Sequence, residues 1–187
     1  MGSYANLWIS DSPSPVDETE ISKEIFMKWE VPLGWLVLFE PEDFSLETVE
    51  EDGDSYQVLY SSSPVDKAIR RLDERSTLCI QVGGRSWEQG KRKFLEFLAT
   101  HQPRFVHVGY SGLMDDNFPA IDQRQEYIER IRNVRIPVLV ERKTLFGKTK
   151  MSLAEHWRLL VPANYKPGAM LPCWAWFGAP PEGEDWV

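Results

Sequence analysis

The chain opens on a short, mostly apolar run at residues 4–9, Tyr-Ala-Asn-Leu-Trp-Ile, bounded by a polar turn, which predicts a β-strand. A turn rich in Ser and Pro follows at 10–15. Ser14-Pro15-Val16-Asp17 then reads as a helix start: Ser14 caps, Pro15 suits the first helical position, and Asp17 sits at the positive end of the helix dipole. Ile21, Ile25, Phe26 and Trp29 continue that helix at helical spacing. The same tetrapeptide recurs as Ser63-Pro64-Val65-Asp66, ahead of the stripe Val65, Ala68, Ile69 and Leu72. Ser86 with Gln89 fits a capping box before a third helix, which buries Trp87, Phe94, Leu95 and Leu98 and ends near Thr100. A fourth helix is expected over residues 120–133, with Ile121, Ile128 and Ile131 inward and Arg124, Glu126, Glu129, Arg130 and Arg132 on a solvated face.

Strands are expected between these helices at 34–39, 56–60, 77–82, 104–109 and 136–141, with 156–161 and 173–177 as edge strands. From Tyr56 onward strands and helices alternate, which argues for a sheet at least partly parallel, with the N-terminal strands joining antiparallel. The expected class is α/β (or α+β): a mixed sheet of about five to seven strands covered by about four helices, in one domain over 1–187. Residues 178–187 break structure at Gly178-Ala179-Pro180-Pro181 and read as a flexible or loosely packed tail.

Composition supports a packed core: 187 residues, 42% hydrophobic, eight of them Trp. No apolar run approaches the ~20 residues that cross a bilayer. The first eight residues lack the basic and apolar regions of a secretion signal. Asn6 stands where a myristoylation motif at Gly2 wants Ser or Thr. A cytoplasmic protein with no membrane association is expected. Cys79 and Cys173 lie in apolar stretches and read as buried free thiols.

Charge changes the picture more. Residues 1–60 carry 14 acids against 2 bases, whereas 61–187 carry 15 acids against 19 bases. The acidic part repels phosphate, so direct nucleic-acid binding is not expected, but it can steer a basic partner. The densest segment, 40–54, holds Glu40, Glu42, Asp43, Glu47, Glu50, Glu51, Asp52 and Asp54 with no base. It reads as a solvated acidic loop or short amphipathic helix, or as a docking surface for a basic groove. As a docking surface it would include Phe44 and Trp35, and the candidate aromatic anchors are Trp29, Trp35, Phe44 and Tyr56.

Catalytic signals are sparse. Gly83-Gly84-Arg85-Ser86 reads as a glycine turn feeding a capped helix, or as an anion site without the P-loop or dinucleotide pattern. Gly109-Tyr110-Ser111-Gly112 lacks one glycine of a nucleophile elbow. Asp115 and Asp116 are either a polar capping loop or, with His107, the acid–base or metal-binding set of a small hydrolytic enzyme. His107 alternates with apolar neighbours, as a satisfied core or edge histidine does. No cofactor and no metal site is expected.

The segment Val31-Pro32-Leu33-Gly34-Trp35-Leu36-Val37-Leu38-Phe39, with the acidic stretch after it, resembles bacterial immunity proteins of polymorphic toxin systems, nearest to the immunity protein 52 family. The resemblance centres on Gly34-Trp35 and adds small size, acidity, many Trp and an α/β pattern without a catalytic motif. It implies a non-enzymatic protein whose partner is a cognate toxin, often a nuclease with a basic groove, delivered by a neighbouring cell. A non-enzymatic adaptor for another partner fits the same pattern.

Overall fold

In the computed structural model, residues 4–16, 21–28, 30–51, 53–110, 120–134, 139–143, 149–153, 157, 160, 161, 165 and 171–179 are described. Trp29, Ser111, Asp115, Asp116, His156 and the 180–187 part of the tail lie outside them.

Five strands form one sheet: β1 (Tyr4–Ser10), β2 (Ile21–Lys28), β3 (Phe44–Glu51), β4 (Asp54–Pro64) and β5 (Phe105–Gly109). Their spatial order is β2-β1-β5-β4-β3. The helices are α1 (Leu33–Leu36), α2 (Val65–His101), α3 (Ala120–Asn133) and α4 (Trp174–Phe177), and β6 (Leu139–Lys143) and β7 (Thr149–Leu153) form a separate hairpin. The class is as expected, a sheet covered by helices. The partly parallel pairing is not found: every described strand pair is antiparallel.

The reason lies in α2. Residues 77–82, expected as a strand, are helical, because Leu72, Arg75, Cys79 and Val82 prolong the buried stripe begun at Ala68. At Gly84 the backbone leaves the helix (φ 53°, ψ −136°), a conformation that glycine alone adopts at low cost. The two arms fold back on each other. Lys91 Nζ lies 2.7 Å from Asp73 Oδ1, although in a straight helix these residues would stand roughly 27 Å apart. Val65 N–H meets the Arg104 carbonyl at 3.0 Å, closing the base of the hairpin. A single crossover helix returns the chain for a parallel strand. Two helical arms return it to the end of β4, so β5 pairs antiparallel with Pro64 opposite Phe105.

Other elements also differ from expectation. Residues 21–28 are a strand because Ile25 and Met27 point inward while Phe26 and Lys28 point outward, a period of two. The acidic segment is β3, paired to β4 from Phe44 opposite Ser61 to Glu51 opposite Asp54. Residues 31–39 are buried throughout and form α1 and its flanks instead of a strand. A buried segment without a sheet neighbour must satisfy its carbonyls elsewhere. Arg75 Nη1 donates to the Val37 and Phe39 carbonyls, both at 2.7 Å, and Arg71 Nη1 donates to that of Leu38 at 3.2 Å. Residues 173–177, expected as an edge strand, hold α4 instead. Ile121, expected inward, is exposed, whereas Ile128 and Ile131 are buried as expected.

The register assigns each strand residue to a face. Leu7, Ile9, Ile25, Leu59, Val106 and Val108 share one face and join Ala68, Leu72, Trp35, Ile131 and Phe177 in the core. The described helices pack on that side. The opposite face carries Asn6, Trp8, Glu24, Phe26, Glu47, Val49, Tyr60 and His107.

Candidate functional site

The face that no described helix covers, termed the helix-free face, holds the candidate site. Its floor is set by cross-strand neighbours. Trp8 on β1 meets Tyr60 on β4 edge to face, with ring centroids 5.9 Å apart and planes at 89°. Gly109, between them on β5, leaves room for this: a Cβ there would stand 2.9 Å from Asn6 Oδ1 and 3.0 Å from the Trp8 ring. Asn6 Nδ2 donates to Glu24 Oε1 at 3.3 Å and orients the carboxylate. Pro15 and Val16 close one side, and Ile21 and Val49 complete a cavity of about 180 Å3.

Around this cavity the face is apolar and acidic at once. Phe26 is 49% exposed, Val16 44% and Tyr56 41%, three of the large hydrophobic side chains exposed among the described residues. Glu47 stands opposite Val58 on the same face, whereas Glu50, exposed farther along β3, alternates to the other side with Leu46. No ion pair among the described residues involves Glu24, Glu47 or Glu50. Lys28 shares the face at the far end of β2.

The expected docking residues therefore separate. Trp35 and Phe44 are buried in the core and correct the expectation that they serve as anchors. Trp35 Nε1 donates to the Phe177 carbonyl at 2.8 Å, and Phe44 packs against Phe39 and Tyr110. Glu40 and Asp43 are half-buried and turned to the protein's own arginines: Arg75 Nη2 lies 2.6 Å from Glu40 Oε1, and Arg71 Nη1 bonds Asp43 Oδ2. Burial raises the Asp43 carboxyl against the opposing pull of Arg71. Glu42 and Glu50 are exposed and Glu47 is half-buried. Asp52 and the side chains of Glu51 and Asp54 lie outside the described residues.

His107 is fully buried beside this site, stacked on Trp8 with centroids 5.4 Å apart. Nε2 meets the Ser12 carbonyl at 3.2 Å and Ser10 Oγ at 2.9 Å, and Nδ1 meets Ser62 Oγ at 2.8 Å. A carbonyl only accepts, so the proton sits on Nε2, and Nδ1 accepts from Ser62. Burial lowers the ring's pKa to about 4. The neutral tautomer thus has no nitrogen left to take the Ser10 proton, and this Ser–His contact is not a nucleophile–base pair. Asp115 and Asp116 lie outside the described residues, so of the expected enzymatic set only His107 is placed.

The remaining motifs are absorbed by the fold. Gly83-Gly84 turns the α2 hairpin, and Ser86 Oγ donates to the Gly83 carbonyl and accepts from Trp176 Nε1, in place of the expected capping box. Tyr110 OH pairs with Ser61 Oγ. Cys79 and Cys173 are both buried, and burial pushes the Cys79 thiol up. Among the described residues no group of three or more His, Cys, Asp and Glu is arranged to hold a metal. None of the described helices is long and apolar enough to cross a membrane.

A larger concavity, about 450 Å3, runs along α2 over Ile80, Leu95 and Ala99. Its cations are paired within the protein, Lys91 with Asp73 and Arg92 with Glu96.

Sequence reasoning missed Asn6, Trp8, Glu24 and Tyr60 as a group, because a helix was expected where β2 runs. No family model, curated protein or solved structure matches this chain, and the immunity-protein resemblance gains nothing from those comparisons.

Proposed function

We propose that this chain is a stoichiometric inhibitor of the immunity type. It neutralises a cognate bacterial toxin by laying the acidic, helix-free face of its sheet over the toxin's basic substrate groove. The observation that carries the reading is one face holding exposed apolar side chains, Phe26, Tyr56 and Val16, among carboxylates, Glu24 and Glu47, that have no described ion-pair partner. Apolar anchors supply most of the affinity of such interfaces, and complementary charge supplies association rate and specificity. A nuclease toxin carries the basic groove that such a face complements. The cavity, about 180 Å3, is smaller than the roughly 300–1,000 Å3 of small-molecule sites, which favours a protein partner over a metabolite. A cytoplasmic site of action belongs to the same proposal.

The test is co-expression with the product of the neighbouring gene. Rescue of growth and co-purification in a 1:1 complex are the expected results. A toxic neighbour that is neither rescued nor bound would overturn the reading.

A further inference from the structure

The cavity on the helix-free face has a chemistry more specific than negative charge, and we infer that it is a receptor for one arginine side chain projecting from the partner protein. This deepens the protein-binding reading and rests on it. One wall is the Trp8–Tyr60 pair, set edge to face. Beside it stands the Glu24 carboxylate, with one oxygen held by Asn6 Nδ2 at 3.3 Å and no described ion-pair partner. Pro15, Val16, Ile21 and Val49 supply apolar surface around the mouth.

A carboxylate beside aromatic rings, framed by aliphatic carbon, matches a guanidinium on a methylene stem. The planar cation meets the carboxylate through paired N–H donors and lies against aromatic groups, and its stem covers the apolar rim. An ammonium is a strongly hydrated point charge that matches the aromatic wall and the planar carboxylate less well. A neutral side chain would leave Glu24 desolvated without a counter-charge. The volume, about 180 Å3, suits one long side chain and not a drug-sized molecule. The surroundings raise the local concentration of cations. Glu47 shares the face and adds its charge to that of Glu24.

The experiment titrates the full isotope-labelled chain with N-acetyl-arginine amide and follows the backbone amides of Asn6, Glu24 and Tyr60 by NMR. The citrulline and lysine analogues are run in parallel. Saturable shifts in the millimolar range are expected for arginine, with the citrulline analogue, which keeps the shape but lacks the charge, producing none. Glu24→Gln should weaken arginine binding about tenfold, as loss of a charge-assisted hydrogen bond does, while Glu50→Gln leaves it unchanged. Amide shifts elsewhere in the sheet verify that Glu24→Gln folds. Equal response to citrulline, equal affinity for lysine, or no saturation with arginine would each overturn the assignment. Failure here and failure of the functional reading separate cleanly. A toxin bound with undiminished affinity by Glu24→Gln sinks only the arginine receptor, whereas arginine binding without a toxin partner sinks only the immunity function.

Discussion

Arg75 and Glu40 form an ion pair across 35 residues of chain, Nη2 to Oε1 at 2.6 Å, and it divides the acidic stretch into an inner and an outer part. The inner acids, Glu40 and Asp43, answer two arginines that also satisfy the carbonyls after α1. The outer acids, Glu47 and Glu50, have no such partner among the described ion pairs and are the ones free to meet another molecule.

Removing the inner cation should therefore be costly. Arg75→Ala leaves Glu40 half-buried without its partner and uncovers the Val37 and Phe39 carbonyls. The expected loss is about 3–5 kcal/mol, measured by urea unfolding. Glu47→Gln and Glu50→Gln should each change stability by no more than about 0.5 kcal/mol. Similar losses for all three would mean that the inner and outer acids are not distinct.

Stability should depend on His107 in mildly acid solution. Its folded pKa, about 4, lies below the unfolded value of about 6.5. The unfolded chain binds the proton first as pH falls, so the contribution is whole above pH 6.5 and declines toward pH 4. Between pH 7 and pH 5 the decline is about 2 kcal/mol for this group. Half-buried Asp43, its carboxyl raised by burial, contributes in the opposite sense, so the informative comparison is between the wild type and His107→Gln. Urea unfolding at both pH values should show a shallower decline in the variant.

The reversal in α2 should depend on Gly84. Open space surrounds its Cβ position, so Gly84→Ala meets only the backbone penalty at φ 53° and ψ −136°, about 1–3 kcal/mol. A lower urea midpoint with unchanged m is the expected signature.

How much of this was legible beforehand varied with the kind of signal. The β4–α2 junction at Pro64-Val65, the β5 strand and α3 are local patterns, and each lies within a residue or so of its expected place. The acidic hairpin also had a local signal, since Asp52-Gly53 between alternating residues is a strong turn dipeptide, but the density of charge hid it. The role of Gly83-Gly84 was not local. A glycine pair between a β-prone run and a helix fits either a strand end or a helical hairpin, and only the Lys91–Asp73 and Val65–Arg104 contacts decide between them. The site depended on that same tertiary information. Asn6, Trp8, Glu24 and Tyr60 become neighbours only through the register of three strand pairs. Arg71 and Arg75 did leave a trace, as two cations four residues apart on an otherwise apolar helix stripe.

Truncating an exposed anchor should speed escape from the proposed partner and leave capture nearly unchanged. Phe26→Ala removes a side chain 49% exposed, so folding stability should move by no more than about 0.5 kcal/mol. Dissociation of the proposed toxin complex should accelerate roughly tenfold, as for an interface anchor worth about 1–2 kcal/mol, with association nearly unchanged. An unaltered dissociation rate would remove Phe26 from the interface.

The most direct test of the central claim is the association rate with the proposed toxin partner as a function of ionic strength, for the wild type and for a double variant, Glu24→Gln and Glu47→Gln, both on the proposed face. The acidic sheet face predicts fast, steeply salt-dependent association for the wild type. The variant should be at least about tenfold slower at low salt and converge with the wild type at high salt, where the charges are screened. Identical rates and identical salt slopes for the two proteins would contradict it.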